Sequence, residues 1–421
     1  MSFGHASNLR DKKILILIGS HLATAPRVQK EAKALREAGA VVYVRGTWWS
    51  PVLAAEDMAL SSSLGIDFAP VVNLSSKGVT RTKVRILQRF ARELFVRFGV
   101  VTGRVFGLGT TEMLNEARCI NADLTMVHSE AGLWVGKKLL ADGRRVGVDF
   151  EDWFSQDLPL KDRVQRPIKA MQRLERHLLQ HANCSLTTSQ ALANSLAHDA
   201  DTTRIPVVAP NCFPTSERAQ ALQGSRDVVP ANCVSFHWFS QTIGPARGLE
   251  VLAQALPLLR GNWQLSLRGS LHAHQAWFDE TFTPALRLRI QVLEPVSNAG
   301  LLARTMSHDV GLSLEEPYCL NKELTASNKI FEYLRAGLAV IATATQGQQE
   351  VMQSCPGAGQ LIPPGDPVSL ANAMQRMLDD AVHLQACKLN SVEAGEGVWS
   401  WERHAPKLVQ AIAAGLTAPL S

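Results

Sequence analysis

Paired cysteines are missing from this sequence of 421 residues. The seven cysteines stand singly and form no C-x-x-C pair: Cys119, Cys184, Cys212, Cys233, Cys319, Cys355 and Cys387. This spacing argues against a zinc site and against a disulfide framework. It predicts reduced thiols, as in a cytoplasmic protein.

Long apolar runs are missing as well. No segment approaches the roughly 18 uninterrupted apolar residues of a membrane-spanning helix, and the nearest candidate, Leu94 to Leu108, contains Arg97 and Arg104. The N-terminal segment MSFGHASNLRDKK has no apolar signal core. The net charge of +5 is too small and too localised to indicate general nucleic-acid binding. We therefore expect a soluble, cytoplasmic globular protein.

The chain is too long for one ordinary core, and its pattern of strands and helices occurs twice. Buried-strand patterns lie at 12–19, 41–44, 124–128, 145–150, 185–189 and 206–211, and again at 234–238, 263–268, 290–293, 308–314 and 338–343. Helical spacing separates them. We predict an α/β protein with a Rossmann-like acceptor-binding domain at 1–213 and a second, donor-binding domain at 214–398. The helical segment 399–421 is expected to pack back towards the first domain.

Polar residues follow the strands of the first half. The run KKILILIG ends at Gly19, and Arg27 opens the next helix. The carboxyl ends of adjacent parallel strands face one crevice, so side chains there are candidates for ligand contact. An ordinary set of polar loop residues remains the alternative. The candidates after the next two strands are His128, Glu130, Glu151 and Asp152.

A glycine-rich turn follows the first strand of the second half. In FSQTIGPARGLE, Gly244 and Gly248 bracket Arg247 just before a helix. Backbone N–H groups at a helix start, with little side-chain bulk nearby, suit a phosphate, and an arginine adds charge-assisted hydrogen bonds. The next strand ends at Gly269, at the same predicted edge.

The segment TASNKIFEYLRAGLAVIAT, from Thr325 to Thr343, predicts a capped helix, a left-handed Gly337 and a buried strand. Asn328, Lys329 and Glu332 lie on or beside its polar face. Lys329 and Arg247 together suit a diphosphate, and a carboxylate suits the vicinal hydroxyls of a ribose. The inferred ligand is a nucleotide diphosphate attached to a second group. An ordinary amphipathic helix is the alternative.

These features resemble the GT-B fold retaining glycosyltransferases of the glycosyltransferase family 4 type, also described as glycosyl transferases group 1. The resemblance rests on the glycine-ended first strand, the D-x-E-D at 149–152, the turn around Arg247 and, above all, NKIFEYLRAGLAVIAT. It implies two Rossmann-like domains facing each other across a cleft. It also implies that Arg247 and Lys329 bind the donor diphosphate, that Glu332 holds the ribose, and that Glu151 and Asp152 lie at the reacting centre.

The resemblance further implies transfer with retention, from a UDP- or GDP-linked sugar, without a cofactor or a metal. Gly19, Arg27, His128 and Glu130 would lie on the acceptor side. Two positions depart from the family. Leu324 occupies the place of the first glutamate of the E-x7-E motif, and Glu151 stands where many members have histidine. A non-catalytic GT-B nucleotide-sugar-binding subunit, and a GT-B sugar-nucleotide epimerase or hydrolase, therefore remain alternatives.

A basic amphipathic segment spans residues 77–104. Eight cations stand there against one acid, Glu93: Lys77, Arg81, Lys83, Arg85, Arg89, Arg92, Arg97 and Arg104. Apolar residues alternate with them, which favours reversible binding to an anionic membrane. A peripheral position at the inner face of the cell membrane would suit a lipid-linked acceptor in surface polysaccharide or glycolipid assembly. A solvated helix face is the alternative.

Overall fold

The computed structural model describes residues 9–75 and 78–419. The start of the N-terminal segment and Lys77 of the basic segment lie outside these residues. The chain forms two compact units, one comprising the chain up to Ala209 together with the segment from Ala405 onward, the other Pro210–His404. The predicted boundaries at 213 and 398 lie within a few residues of these two points. No helix within the described ranges has both the length and the apolarity to cross a membrane.

The first unit contains a seven-stranded sheet in which every neighbouring pair is parallel. Its strands run in the order β3-β2-β1-β4-β5-β6-β7. They are β1 (Lys13–Leu17), β2 (Val41–Trp48), β3 (Asp67–Asn73), β4 (Leu124–Val127), β5 (Val146–Phe150), β6 (Cys184–Thr187) and β7 (Val207–Val208). The central strands are continuous apolar runs because helices cover both faces of a parallel sheet.

Within the described residues, these strands are connected by the helices α1 (Pro26–Glu37), α2 (Pro51–Leu64), α3 (Val79–Phe98), α4 (Thr110–Ile120), α5 (Ser129–Ala141), α6 (Ile168–His181) and α7 (Gln190–Asp199). Strand β3 has no counterpart in the sequence prediction. It contains Pro70 and forms the edge of the sheet, where a residue without an N–H is tolerated.

The second unit repeats this arrangement with six parallel strands in the order β10-β9-β8-β11-β12-β13. They are β8 (Val234–Thr242), β9 (Trp263–Ser270), β10 (Ile290–Leu293), β11 (Val310–Ser313), β12 (Ala339–Thr343) and β13 (Gly359–Ile362). Leu265, Leu312 and Ile341 from the central strands pack into one core with Leu252 and Leu370, which come from helices of this unit. The predicted α/β class with two parallel-sheet domains is confirmed.

The helices of this unit are α8 (Thr215–Ala221), α9 (Leu249–Ala255), α10 (Gln275–Thr281), α11 (Pro284–Arg287), α12 (Asn298–Thr305), α13 (Leu320–Leu324), α14 (Asn328–Ala336), α15 (Gln346–Ser354), α16 (Pro367–Asp379) and α17 (Ala381–Glu396). The ends predicted for α14 are confirmed, with Ser327 as N-cap and Gly337 left-handed at φ 78°. The final helix, α18 (Trp401–Thr417), places Gly415 against Cys184 of β6.

Candidate functional site

The turn after β8 brings Arg247 to the carboxyl edge of the second sheet. Its Nη1 donates to Ser240 Oγ at 2.9 Å, and the side chain is exposed. Gly248 is the N-cap of α9, with φ 75°, and a Cβ there would lie 2.5 Å from the carbonyl oxygen of Leu314. Only glycine allows this approach, which brings the Arg247 turn against the end of β11.

The other two predicted glycines also mark close approaches at this edge. A Cβ at Gly269 would lie 2.6 Å from the carbonyl oxygen of Ser240, the residue that holds Arg247. A Cβ at Gly244 would lie 2.6 Å from His274 Cδ2. The predicted turn residues therefore form one cluster with Arg247.

Lys329 lies beside the end of β11 in an ion pair. Its Nζ is 2.7 Å from Glu315 Oε1, and Ser327 Oγ donates to the same oxygen at 2.8 Å. Burial raises the pKa of Glu315, but the charges of Lys329 and Lys322, with the hydrogen bonds, lower it to about 2. Lys329 Nζ also lies 5.7 Å from the ring centroid of Trp238 on β8. The structure thus brings Lys329 and the Arg247 turn to the same edge.

Glu315 is a functional candidate of this unit that the sequence analysis did not place among the site residues. Its register does not match the first glutamate of E-x7-E, whereas Leu324, which has that register, is buried at 2% exposure. The available signal was its place just after a strand: Glu315 lies two residues after β11, as Glu151 lies one residue after β5.

Glu332 lies in a buried charge network. Its Oε2 accepts from Arg335 Nη2 at 2.5 Å, and Arg335 also pairs with Glu217 and lies over the ring of Phe213. Glu332 and Arg335 are 2% and 5% exposed, so the polar face of α14 is largely covered. The ribose role of Glu332 stays a prediction.

Asn328, the last of the predicted donor residues, begins α14. Its Oδ1 accepts from Asn211 Nδ2 at 2.9 Å. It lies next to Lys329 in the chain, at the same helix start.

In the first unit, Arg27 joins the start of α1 to the end of β5. Its Nε and Nη2 donate to the two oxygens of Asp149 at 2.7 and 3.0 Å, and Nη1 donates to the carbonyl oxygen of Ala209 at 2.7 Å. Both side chains are buried. This bidentate pair fixes the strand end on which Glu151 lies.

His128, just after β4, lies between two carboxylates. Its Nε2 is 3.0 Å from Glu31 Oε2 on α1, and its Nδ1 is 3.8 Å from Glu151 Oε2. Burial lowers the pKa of His128, but Glu31, Glu151 and Asp149 outweigh it and raise that pKa to about 10. Burial raises the pKa of Glu151, and the neighbouring His128, Arg27 and Lys30 bring it below its usual value. Glu31 was missed by the sequence analysis because nothing in α1 marks it locally.

Glu31, His128 and Asp149 each carry a ligand atom, and these atoms lie within 4.8 Å of one another. Both oxygens of Asp149 already accept from Arg27. A divalent ion would have to displace these hydrogen bonds beside a fixed positive charge, so the group fits an internal charge network better than a metal site.

The remaining predicted residues of this unit lie nearby. A Cβ at Gly19 would be 3.0 Å from Ser129 Oγ at the start of α5, and Glu130 pairs with Arg166. Asp152 and its neighbour Glu151 are both half-buried, and the Glu151 side chain is 38% exposed. Glu151 is therefore more accessible than Arg27 or His128.

Counted within each unit, both parallel sheets begin at one edge with the strand order 3-2-1-4, and the two sheets together match solved structures with the GT-B fold. Residues 237–380, which contain Arg247, Glu315 and Lys329, match the family model described as glycosyl transferases group 1. No curated protein matches the chain significantly.

Solved structures with this fold cover almost the whole chain. Sucrose-phosphate synthase from Thermosynechococcus elongatus is 16% identical, with a TM-score of 0.68 over 95% of this chain and 98% of its own. Anabaena HepE in complex with UDP-glucose is 16% identical, with a TM-score of 0.67 over 95% and 99%. A putative UDP-N-acetylglucosamine 2-epimerase from Listeria monocytogenes is 12% identical, with a TM-score of 0.54 over 93% and 94%. At these identities the likeness shows the fold alone.

Proposed function

We propose that this protein is a retaining glycosyltransferase that moves a hexosyl group from a nucleotide-diphosphate sugar to an acceptor hydroxyl. The observation that carries the proposal is the cationic edge of the second sheet, where Arg247 and Lys329 lie within the region that matches glycosyl transferases group 1. The complex of Anabaena HepE with UDP-glucose supports a UDP-linked donor. A GDP-linked donor is the alternative.

The cations act on the leaving group. As the bond between the anomeric carbon and the diphosphate oxygen breaks, negative charge grows on the diphosphate, and Arg247 and Lys329 stabilise it. The acceptor oxygen bonds to the anomeric carbon from the same face, and its proton passes to the departing phosphate. Neither step needs a metal or another cofactor.

Glu151 and Asp152 are proposed to act at the reacting centre. Glu151 is ionised and partly exposed, so its carboxylate can accept hydrogen bonds from sugar or acceptor hydroxyls. Asn328 and the turn glycines would line the diphosphate, and Glu332 is proposed to bind the ribose hydroxyls. Gly19, Arg27, His128 and Glu130 shape the acceptor side.

The acceptor is proposed to be lipid-linked, in surface polysaccharide or glycolipid assembly, with the protein held in the cytoplasm against the membrane by α3. The outward face of this helix carries exposed apolar and basic side chains together, including Ile86, Phe90 and Arg89. An anionic leaflet would engage both kinds of side chain.

Turnover assays separate this function from its alternatives. The protein would be incubated with UDP-, GDP-, ADP- and TDP-sugars, with and without a panel of lipid-linked and free glycan acceptors, and released nucleotide and products would be measured. Acceptor-dependent release of nucleotide with a new glycoside of retained configuration is expected. Conversion of the donor without an acceptor would instead identify an epimerase or hydrolase, as the Listeria neighbour suggests. Nucleotide binding without any turnover would identify a binding subunit, in line with Leu324.

A further inference from the structure

A positive charge is buried between α1 and the ends of β4 and β5. The imidazole of His128 is 3% exposed, and Glu31, 3.0 Å away, is fully buried. Arg27, another buried cation there, already uses its N–H groups on Asp149 and a carbonyl oxygen. His128 Nε2 forms an ion pair with Glu31 Oε2.

The charge of His128 follows from this geometry. A neutral imidazole would deprive the buried Glu31 carboxylate of the ion-pair partner that lies 3.0 Å away, which is unfavourable. The direction of the pKa shift of His128, to about 10, agrees with a cation at neutral pH. The charged groups that face this pair are Arg27 and Lys30 on α1, and Asp149 and Glu151 at the end of β5.

We propose that His128 is a positioning residue whose imidazolium neutralises Glu31 and holds the Glu151 carboxylate at the end of β5, oriented to accept a hydrogen bond from a hydroxyl group of the sugar or acceptor. The role at the hydroxyl rests on the proposed glycosyltransferase function. The charge of His128 does not, and it can be tested on the protein alone.

Selective isotope labelling of the histidine imidazoles tests the charge directly. The His128 signal would be assigned by its loss in His128→Gln, and ring-nitrogen shifts would be followed from pH 6 to pH 9. We expect doubly protonated shifts for His128 at pH 8, and titration within the range once Glu31→Gln removes the counter-ion. A neutral ring at pH 8 in the unchanged protein would overturn the proposal, whatever the enzyme's activity.

Kinetics test the positioning. The double variant Glu31→Gln/His128→Gln replaces both buried ions with neutral amides, which protects folding while Glu151 loses its nearby imidazolium. We expect kcat to fall by about tenfold or more with KM for the donor little changed, since the proposed donor cations lie in the second unit. The acidic limb of the pH–rate profile should move to higher pH, because Glu151 then holds its proton more tightly.

His308→Gln is the matched control. His308 is also a buried histidine, bonded to Asp227 at 3.1 Å and to Ser235 at 2.7 Å, but it belongs to the second unit, whereas Glu31, His128 and Glu151 belong to the first. This variant should lose stability and keep the pH–rate profile. A profile that is unchanged in the double variant as well would overturn the positioning role. If the unchanged protein transfers no sugar, the proposed function fails, and the imidazole shifts alone decide the charge of His128.

Discussion

Arg247 and Lys329 differ in how firmly each is already paired. Lys329 forms an ion pair with the partly buried Glu315, so part of its charge is neutralised before any ligand arrives. Arg247 is exposed and donates to Ser240, a neutral hydroxyl. A diphosphate therefore gains more from Arg247 than from Lys329.

Arg247→Ala should weaken the binding of UDP by about tenfold or more, since a charge-assisted hydrogen bond contributes roughly 1.5 to 3 kcal/mol. Titration calorimetry at two salt concentrations would measure this loss of UDP affinity, and the affinity of the variant should depend less on salt than that of the unchanged protein. Arg260→Ala, which removes another exposed arginine of the same unit, is the control and should bind UDP like the unchanged protein. Equal affinity in both variants would place the diphosphate elsewhere.

Glu175 on α6 makes stability depend on pH. It is 2% exposed, and burial raises its pKa from 4.5 to about 7, although Ser155 N donates to its Oε1 at 2.9 Å. Between these values the folded state holds a proton that the unfolded state has released. The free energy of unfolding therefore falls as pH rises from about 4.5 to 7 and stays lower above it.

Glu175→Gln should remove this pH-dependent decrease in the free energy of unfolding. The decrease amounts to up to about 3 kcal/mol, because a shift of one pKa unit corresponds to about 1.4 kcal/mol. Urea unfolding at pH 5 and pH 8 would measure it. Glu56→Gln, at an exposed glutamate, serves as the reference and should keep the pH dependence of the unchanged protein. A Glu175→Gln variant with the same pH dependence would contradict a raised pKa.

At the scale of elements, α3 has two different faces. Val84 and Ala91 are each 4% exposed on the inner face, whereas Ile86 and Phe90, four residues apart on the outer face, are 61% and 62% exposed. Exposed cations accompany this apolar pair, among them Lys83, Arg89 and Arg97. The described part of the basic segment thus presents the combination of side chains that an anionic bilayer surface binds.

Ile86→Ser/Phe90→Ser should lower binding to vesicles of phosphatidylglycerol and phosphatidylcholine several-fold, because each buried CH₂ contributes about 0.8 kcal/mol. Co-sedimentation at low and high salt would measure binding, and vesicles of phosphatidylcholine alone should bind little. Val382→Ser/Leu389→Ser removes two similarly exposed apolar residues from α17 and should bind like the unchanged protein. Vesicle binding that does not depend on lipid charge or on salt would indicate that this face of α3 is only solvated.

Helix α14 shows how far sequence can predict an element. Its cap, its left-handed end and the strand after it follow from local residue types, and the structure confirms them. The amphipathic pattern also predicts a polar face for ligand contact. The structure covers much of that face with Arg335, Glu217 and Phe213, because a salt-bridge network can bury charges that periodicity marks as exposed.

At the scale of the whole molecule, binding of the nucleotide should protect the second unit and leave the first unit little changed. Hydrogen exchange with and without UDP should show protection in peptides that contain the Arg247 turn and the start of α14, with peptides around Arg27 and His128 little affected. Mass spectrometry of the full chain would measure it, and AMP would serve as a control nucleotide. Protection confined to the first unit would contradict the assignment of the donor site to residues 237–380.

The sequence by itself determined the repeated α/β pattern, the glycine turn at Arg247 and the capped helix at Lys329, because these depend on residues close together in the chain. The tertiary structure decided which charged side chains pair with each other. Glu315 meets Lys329 because it lies just beyond β11, the neighbour of β12, and Glu31 meets His128 because β1 lies between β2 and β4. Such pairs depend on strand order, which joins residues far apart in the chain and leaves no local pattern.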